Sequence, residues 1–448
     1  MNVSEKREIP KCPDRPKSQN ALTTLNYTIK VITPMFGGGC LAGAVDESMP
    51  VRGTEVRGNL QFWWRATCGA QYSLEEMLQH HQEIWGSTKL KSLVTVSIHT
   101  IECVKSDSCA TYNWDSNAKK GQGGWCLKWK DGFKGVLPYV LFPFQGKAPK
   151  EAFQAAAPEK RIYKPVEAPA YFIPSLSFKI MILCPEKFRN DVKTAVRAWV
   201  NFGGLGARTR RGCGSLYCKE LAPKDQNDIV PCFGKLFHSS SAPQKWPTLP
   251  KQVLIGKSST EALDAWKISV QVLQQFRQGI NFARNQGEKR PGRSRFPEAE
   301  TIRELVKKRS SQHQRLTNIP CNAFPRAEFG LPIIFHFQGE KQGEPPDTTL
   351  TPFYEGKGQE RMASPIILKP LALQDGQVIP MILQLNTPQL SQVILKSDHQ
   401  QFGPLSETSI RGERLSSYSN SPLAGSSGSV LDAFMMYAKE KQFQEISL

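Results

Sequence analysis

Hydrophobic and polar residues alternate clearly at the start of the chain. In NYTIKVIT (26–33), Tyr27, Ile29 and Val31 alternate with polar neighbours, the period-two mark of a strand with one buried face. TPMFGGG follows, a turn-rich break through Gly39, and then a loop to about residue 56. In RGNLQFWWRATCGAQ (57–71), Leu60, Trp63, Trp64 and Thr67 fall at helical spacing, which predicts a helix beginning near Asn59. LVTVSIHTIEC (93–103) and LSFKIMILC (176–184) read as two further strands. Pro185 then opens a helix in the position proline tolerates best. Its apolar stripe is Phe188, Val192, Ala195, Val196 and Trp199, and it ends at Gly203. SLYCKEL (215–221) is the strand after it.

The order β-α-β-(insert)-β-α-loop-β is the split βαβ plan of ferredoxin-like folds. The insert, about 104–172, is rich in Trp, Gly, Lys and Pro and has little periodicity. A Pro-, Ser- and Lys-rich connection covers about 222–252. Residues 262–285 and PEAETIRELVKKR (297–309) are helical in pattern, and LPIIFHF (331–337), SPIILKPLAL (364–373) and VIPMILQLN (378–386) return to strand character. A polar Gly/Ser-rich stretch from Ser406 to Ser429 precedes a closing helix, VLDAFMMYAKEKQF (430–443). The chain is therefore divided into a mobile tail (1–25), a first domain (26–250) and a second α+β domain of similar plan (251–448), whose second helix the pattern does not place.

Charge narrows the choice of partner. Lys and Arg number 58 against 40 Asp and Glu, a net charge of +18. That excess favours a polyanion. No apolar stretch approaches the ~20 residues of a membrane-spanning helix, so RNA or DNA is expected rather than a bilayer. The N-terminus lacks the apolar segment of a signal peptide, which predicts a cytoplasmic protein. The eleven cysteines are scattered without a CxxC pair, so reduced thiols are expected and no metal or cofactor site.

One stretch concentrates unusual chemistry. Residues 203–214, GGLGARTRRGCG, hold five glycines, Gly203, Gly204, Gly206, Gly212 and Gly214, among Arg208, Thr209, Arg210 and Arg211. Glycine permits sharp turns and close approach to backbone amides, and arginine adds fork-shaped cationic donors. Together these suit phosphate. Two nucleotide motifs are excluded: the loop has no lysine for GxxxxGK[ST], the GKS at 256–258 has Lys251 where its first glycine belongs, and GxGxxG from Gly204 fails at Thr209.

TPMFGGG, RGTEVRGNLQFWWRA and GGLGARTRRGCGSL, in that order, resemble the RAMP proteins of CRISPR systems, and more narrowly the capping RAMP subunit of type III-B (Cmr) effector complexes. RPGRSRFPEAE (290–300) and RMASPIILKP (361–370) extend the resemblance over most of the chain. It implies an α+β fold of two ferredoxin-like, RRM-like domains with insertions. It also implies partners in guide (CRISPR) RNA, target RNA and the other effector subunits, with contact near the 3′ end of the guide. Gln61 stands where the family tends to carry arginine, and the 104–172 insertion is longer than the family leads one to expect.

The expected RNA contacts are the loop residues above, Gly37, Gly38 and Gly39 after the first strand, Arg52, Arg57 and Arg65 around the first helix, and Arg293 and Arg295 in EKRPGRSRF, where Arg290 also lies. Each has a plainer reading as a turn, a solvated helix face or a linker. Trp63 and Trp64 are ~100° apart on a helix, so both cannot stack on one base, and burial against the sheet is the expected fate of at least one. Some RAMP relatives cut RNA, and a metal-independent endoribonuclease is the alternative reading. Cleavage needs a paired acid and base. Asp46 and Glu47 are the only suggestive acids near the glycine-rich segments and have no recognisable partner. A binding subunit with no catalytic residues is expected.

Overall fold

The structure, a computed structural model, describes residues 21–39, 41, 43–118, 123–148, 167–237, 244–250, 252–287, 292–315, 323–397, 400–406 and 420–448. The expected tail up to residue 20, residues 149–166 of the insertion, Arg290 and residues 407–419 of the Gly/Ser-rich stretch lie outside them.

Strands β1 (Leu22–Val31), β2 (Thr95–Cys103), β3 (Leu176–Pro185) and β4 (Leu216–Tyr217) form one antiparallel sheet in the order β2-β3-β1-β4. Helices α1 (Gly53–Ala66), α2 (Leu74–Trp85) and α3 (Arg189–Phe202) accompany it. Helix α1 begins at Gly53, six residues before Asn59, and Gly58 is tolerated inside it on an open face where a side chain would meet nothing within 4 Å. Strand β4 is only two residues long, since the chain turns at once with Leu221 N–H donating to the Cys218 carbonyl.

A second antiparallel sheet repeats the plan. Strands β5 (Gln252–Ile255), β6 (Ile366–Ala372), β7 (Val378–Gln384) and β8 (Gln444–Ser447) lie in the order β6-β7-β5-β8. In both sheets the sequential strands run second, third, first, fourth. Helix α4 (Ala262–Gln278) follows β5, and α6 (Val430–Glu440) precedes β8. Between α4 and β6 lie α5 (Glu298–Val306) and part of a third sheet, in which Ile333–Phe335, Thr348–Tyr354, Gln392–Lys396 and Gln401–Leu405 pair in that order.

The layers alternate sheet, helices, sheet, helices. On β1 and β3, the paired residues Tyr27 and Ile180, and Ile29 and Phe178, point into a core with Leu60 and Trp64 of α1 and Val196 and Trp199 of α3. The same core takes Ile367, Leu371, Ile379, Met381 and Leu383 from one face of the second sheet. The other face sends Leu254, Ile366, Leu368 and Ile382 against Trp266 and Leu273 of α4 and Phe434 of α6. A fully buried aliphatic side chain contributes ~1.5–3 kcal/mol, against ~0–1 for a surface ion pair. Apolar burial, not charge, therefore joins the halves.

The insertion is docked on this frame. Its hairpin pairs Ala110–Asp115 with Gly124–Trp129. Farther on, the Phe144 ring stacks on Phe36 of TPMFGGG at 4.4 Å, and Phe133 and Phe172 close the cluster. Among the described residues no helix is long and apolar enough to cross a membrane.

Candidate nucleic-acid interface

The glycine-arginine loop leaves the C-terminus of α3 and enters the seam between the two halves. Gly206 has φ +77°, and a Cβ there would lie 2.3 Å from the Phe36 carbonyl oxygen. Gly212 has φ +91°, and a Cβ there would meet Trp266 Nε1 at 2.3 Å. Both positions therefore require glycine. The close approach, however, is to the protein itself and not to a ligand. The loop amides are engaged in the same way: Gly206 N–H donates to Glu55 Oε1 at 2.8 Å, Ala207 N–H to Phe36 O at 2.7 Å, and Gly214 N–H to Pro34 O at 3.0 Å. The expectation that these glycines expose amides to phosphate is corrected at those positions. Gly37 packs on the same loop, with a Cβ placed 3.2 Å from that of Ala207, and Gly39 N–H donates to Ala44 O.

The three loop arginines do converge, and none is a free surface cation. Arg211 donates to the Ile366 carbonyl at 3.0 Å and to that of Phe329 at 3.4 Å, so it ties the loop to the second half. Burial, reinforced by the neighbouring Arg277, Arg208 and Arg210, pushes its pKa down to about 9. Arg210 donates to Ser364 O and sits 5.5 Å over the Phe62 ring. Arg208, itself left-handed at φ 57°, lies 5.6 Å over Phe142 of the insertion.

Arg277, at the end of α4, completes the group and lies over Phe329 at 5.4 Å. No carboxylate is within ion-pair distance of Arg208, Arg210, Arg211 or Arg277 among the described residues. Arg208 Nε, Arg277 Nε and the Tyr139 hydroxyl are buried without a hydrogen-bond partner among the described residues. Tyr139, also from the insertion, is within electrostatic reach of Arg208 and Arg211. Like charges gathered without a counter-charge are held at a cost that an anion would relieve.

The other expected contacts lie elsewhere. Arg52 pairs with Asp46 at 3.3 Å at the entrance to α1, the helix whose Glu55 touches Gly206. Arg57 donates to the Trp85 carbonyl, and Arg65 contacts His81 Nε2 at 3.0 Å, so both face α2 rather than the loop. Burial, with Arg65 and Arg57 beside it, drives His81 down to about 4, leaving a neutral ring to accept the Arg65 hydrogen bond. Arg293 pairs with Glu300 at 2.6 Å, and Arg295 donates to Asn285 Oδ1 and Asn281 O. Glu300 also binds Arg303 and Arg309, which makes this basic loop part of an internal ion network.

Trp64 is fully buried and donates to Asp191 Oδ2 at 2.9 Å. Asp46 accepts from the Ser48 hydroxyl, from the Ser48 and Met49 amides and from Arg52, and the Ser48 hydroxyl above all holds its pKa at about 2. Glu47 accepts from the Ser106 amide at 2.8 Å. Among the described residues no cluster of three His, Cys, Asp or Glu could hold a metal.

Sequence comparison bears on the same region. Residues 28–217 match the RAMP superfamily. The CRISPR system Cmr subunit Cmr1-2 of Pyrococcus furiosus is 25% identical over 198 residues, 44% of this chain and 95% of the relative. Among solved structures, the apo crystal structure of Cmr1 from Pyrococcus furiosus aligns with a TM-score of 0.44 and 14% identity over 82% of this chain and 89% of that one. The cryo-EM structure of the type III-B Cmr-beta bound to cognate target RNA aligns with a TM-score of 0.44 and 12% identity, covering 82% of this chain and 96% of that one. The segment that matches the RAMP superfamily, residues 28–217, spans most of the first sheet, its helices and the glycine-arginine loop, and the likeness to the Cmr1-2 subunit covers 44% of the chain.

Proposed function

We propose that the protein is a non-catalytic RNA-binding subunit of a type III-B CRISPR effector complex. It acts in the cytoplasm and holds guide RNA, target RNA or both near the 3′ end of the guide. In this reading the chain is two ferredoxin-like domains, 26–250 and 251–448, and the strand order repeated in the two sheets supports that division. One observation carries the RNA assignment: Arg208, Arg210, Arg211 and Arg277 gather beside the orphaned Tyr139 hydroxyl with no carboxylate partner among the described residues. Phosphate supplies the missing charge, and contacts of that kind position RNA without reading its sequence. The non-catalytic part of the reading draws on Asp46 and Glu47, whose oxygens are committed to holding their own loop and residue 106.

The test is the salt dependence of binding. Arg208 and Arg210 are changed together to alanine, while Arg211 is kept because it holds two backbone carbonyls across the seam. Each lost phosphate contact lowers the log–log slope for a single strand by ~0.7, so the double variant is expected to lose about 1.4. A filter-binding titration with unchanged slope and affinity, in a variant that unfolds at the normal temperature, overturns the assignment.

A further inference from the structure

Beside Arg210 the seam opens into a cavity of 180 Å³, lined by Asn59, Phe62, Trp63, Phe202, Gly203, Thr209, Arg210 and Ile367. Trp63, Phe202, Gly203 and Ile367 are buried and form its floor, and the half-buried Asn59, Phe62, Thr209 and Arg210 form its rim. The space equals about six waters at ~30 Å³ each, well under the ~300–1,000 Å³ of sites that enclose a drug-sized molecule. It has room for one ring system and not for a whole nucleotide.

The walls suit a ring with a polar edge. Phe62 and Trp63 meet edge to face at 5.1 Å, Phe202 lies 6.1 Å from Trp63, and the Arg210 guanidinium covers the Phe62 ring at 5.5 Å. The Trp63 indole nitrogen lies against Gly203, where a Cβ would come within 2.6 Å of it. Asn59, whose amide nitrogen donates to the Glu55 carbonyl, keeps its side-chain oxygen as an acceptor at the rim, and Thr209 adds a hydroxyl. An aliphatic side chain would leave these polar groups unmatched.

We propose that this cavity receives a single unstacked nucleobase of the RNA whose phosphates the neighbouring arginines bind. The proposal rests on the RNA-binding reading above and assigns the cavity, from α1 and the start of the loop, as its base subsite. The base enters beside Phe62 with its polar edge toward Asn59 and Thr209, and its phosphate remains outside near Arg208 and Arg210. Aromatic stacking of this kind tolerates any base.

The full chain is titrated with a short oligoadenylate and with an abasic ribose-phosphate chain of equal length. Stacking and edge contacts should make the oligoadenylate bind roughly 5- to 150-fold more tightly. Phe62→Leu should shrink that ratio. Asn59→Phe, which fills the mouth and removes the rim acceptor, should bring it close to one while the abasic chain binds as before. Equal binding of the two chains by the unsubstituted protein overturns the base subsite and leaves the phosphate reading standing. A ratio that survives both substitutions places the base elsewhere and overturns it too. Failure of both chains to bind removes the RNA reading together with this one. If Asn59→Phe weakens association with other effector subunits and leaves the ratio intact, the cavity takes a protein side chain instead.

Discussion

The two sheets share a strand order but differ on their second faces. In β1, buried Leu25, Tyr27, Ile29 and Val31 alternate with exposed or half-exposed residues, and Lys30, Lys179, Met181 and His99 face outward on the first sheet. In β6 and β7 six consecutive residues are buried on each strand, because α1 and α3 cover one face of the second sheet while α4 and α6 cover the other. One topology thus gives one half-exposed sheet and one enclosed sheet. The enclosed one holds the halves together, and the glycine-arginine loop lies where they meet.

The sharpest way to break that contrast is Leu383→Ala. Its side chain is fully buried between the second sheet and the helices of the first half, so chemical denaturation should show a loss of ~2–5 kcal/mol. Met181→Ala, on the open face at 48% exposure, should stay within ~0.5 kcal/mol of the parent. Equal effects would mean that the open face is covered.

Next in size is Lys369. It is buried on β6 and donates at 2.7 Å to both the Val200 and Gly203 carbonyls at the end of α3. Burial lowers its pKa well below the usual lysine value. Between that lowered value and ~10.4 the unfolded chain binds more protons than the folded one, so stability rises with pH across the window and is greatest above it. Lys369→Met should flatten this alkaline rise and remove two hydrogen bonds, worth ~0.5–1.5 kcal/mol each. Unfolding midpoints measured from pH 7 to 10 check both parts.

A third comparison sets the open face against the seam. Lys30→Ala with Lys179→Ala should leave the salt slope of RNA binding where it is, while the Arg208 and Arg210 pair lowers it. A drop of equal size would move the phosphate track onto the sheet. The smallest effect is expected from Asp46→Asn with Glu47→Gln, which should leave target-RNA cleavage by a reconstituted complex near its starting rate. A loss of ~10²-fold or more at unchanged RNA affinity would restore the endoribonuclease reading.

Much of this contrast is legible in the sequence. NYTIKVIT alternates and PIILKPLAL does not, which is how strands with one and two buried faces differ. Helix α2 carries a Ser73-x-x-Glu76 capping box, and both of its hydrogen bonds form, a signal strong enough to have placed it. The loop is harder to read. Density of glycine and arginine marks it as unusual, but only the fold shows that Gly206 and Gly212 make room for Phe36 and Trp266. Arg277 and Tyr139 have no local signal at all, since they reach the site from an ordinary helix position and from a segment without periodicity. Arg293 and Arg57 show the reverse: a basic motif invites a ligand, and Glu300 seven residues on, or the distant Trp85 carbonyl, has already taken the guanidinium.

The enclosed sheet also sets a timetable. The last turns of α3, AWVNF at 198–202, are buried residue after residue, as a helix covered on two sides requires. Their second cover, β6, begins roughly 160 residues later in the chain. At ~5–20 residues per second the ribosome needs about ten to thirty seconds to deliver it. During that interval the newly made first half shows Val200 and Phe202 with no second half to bury them. The nascent chain therefore offers a helper protein, or an aggregate, its most adhesive surface before the molecule is complete.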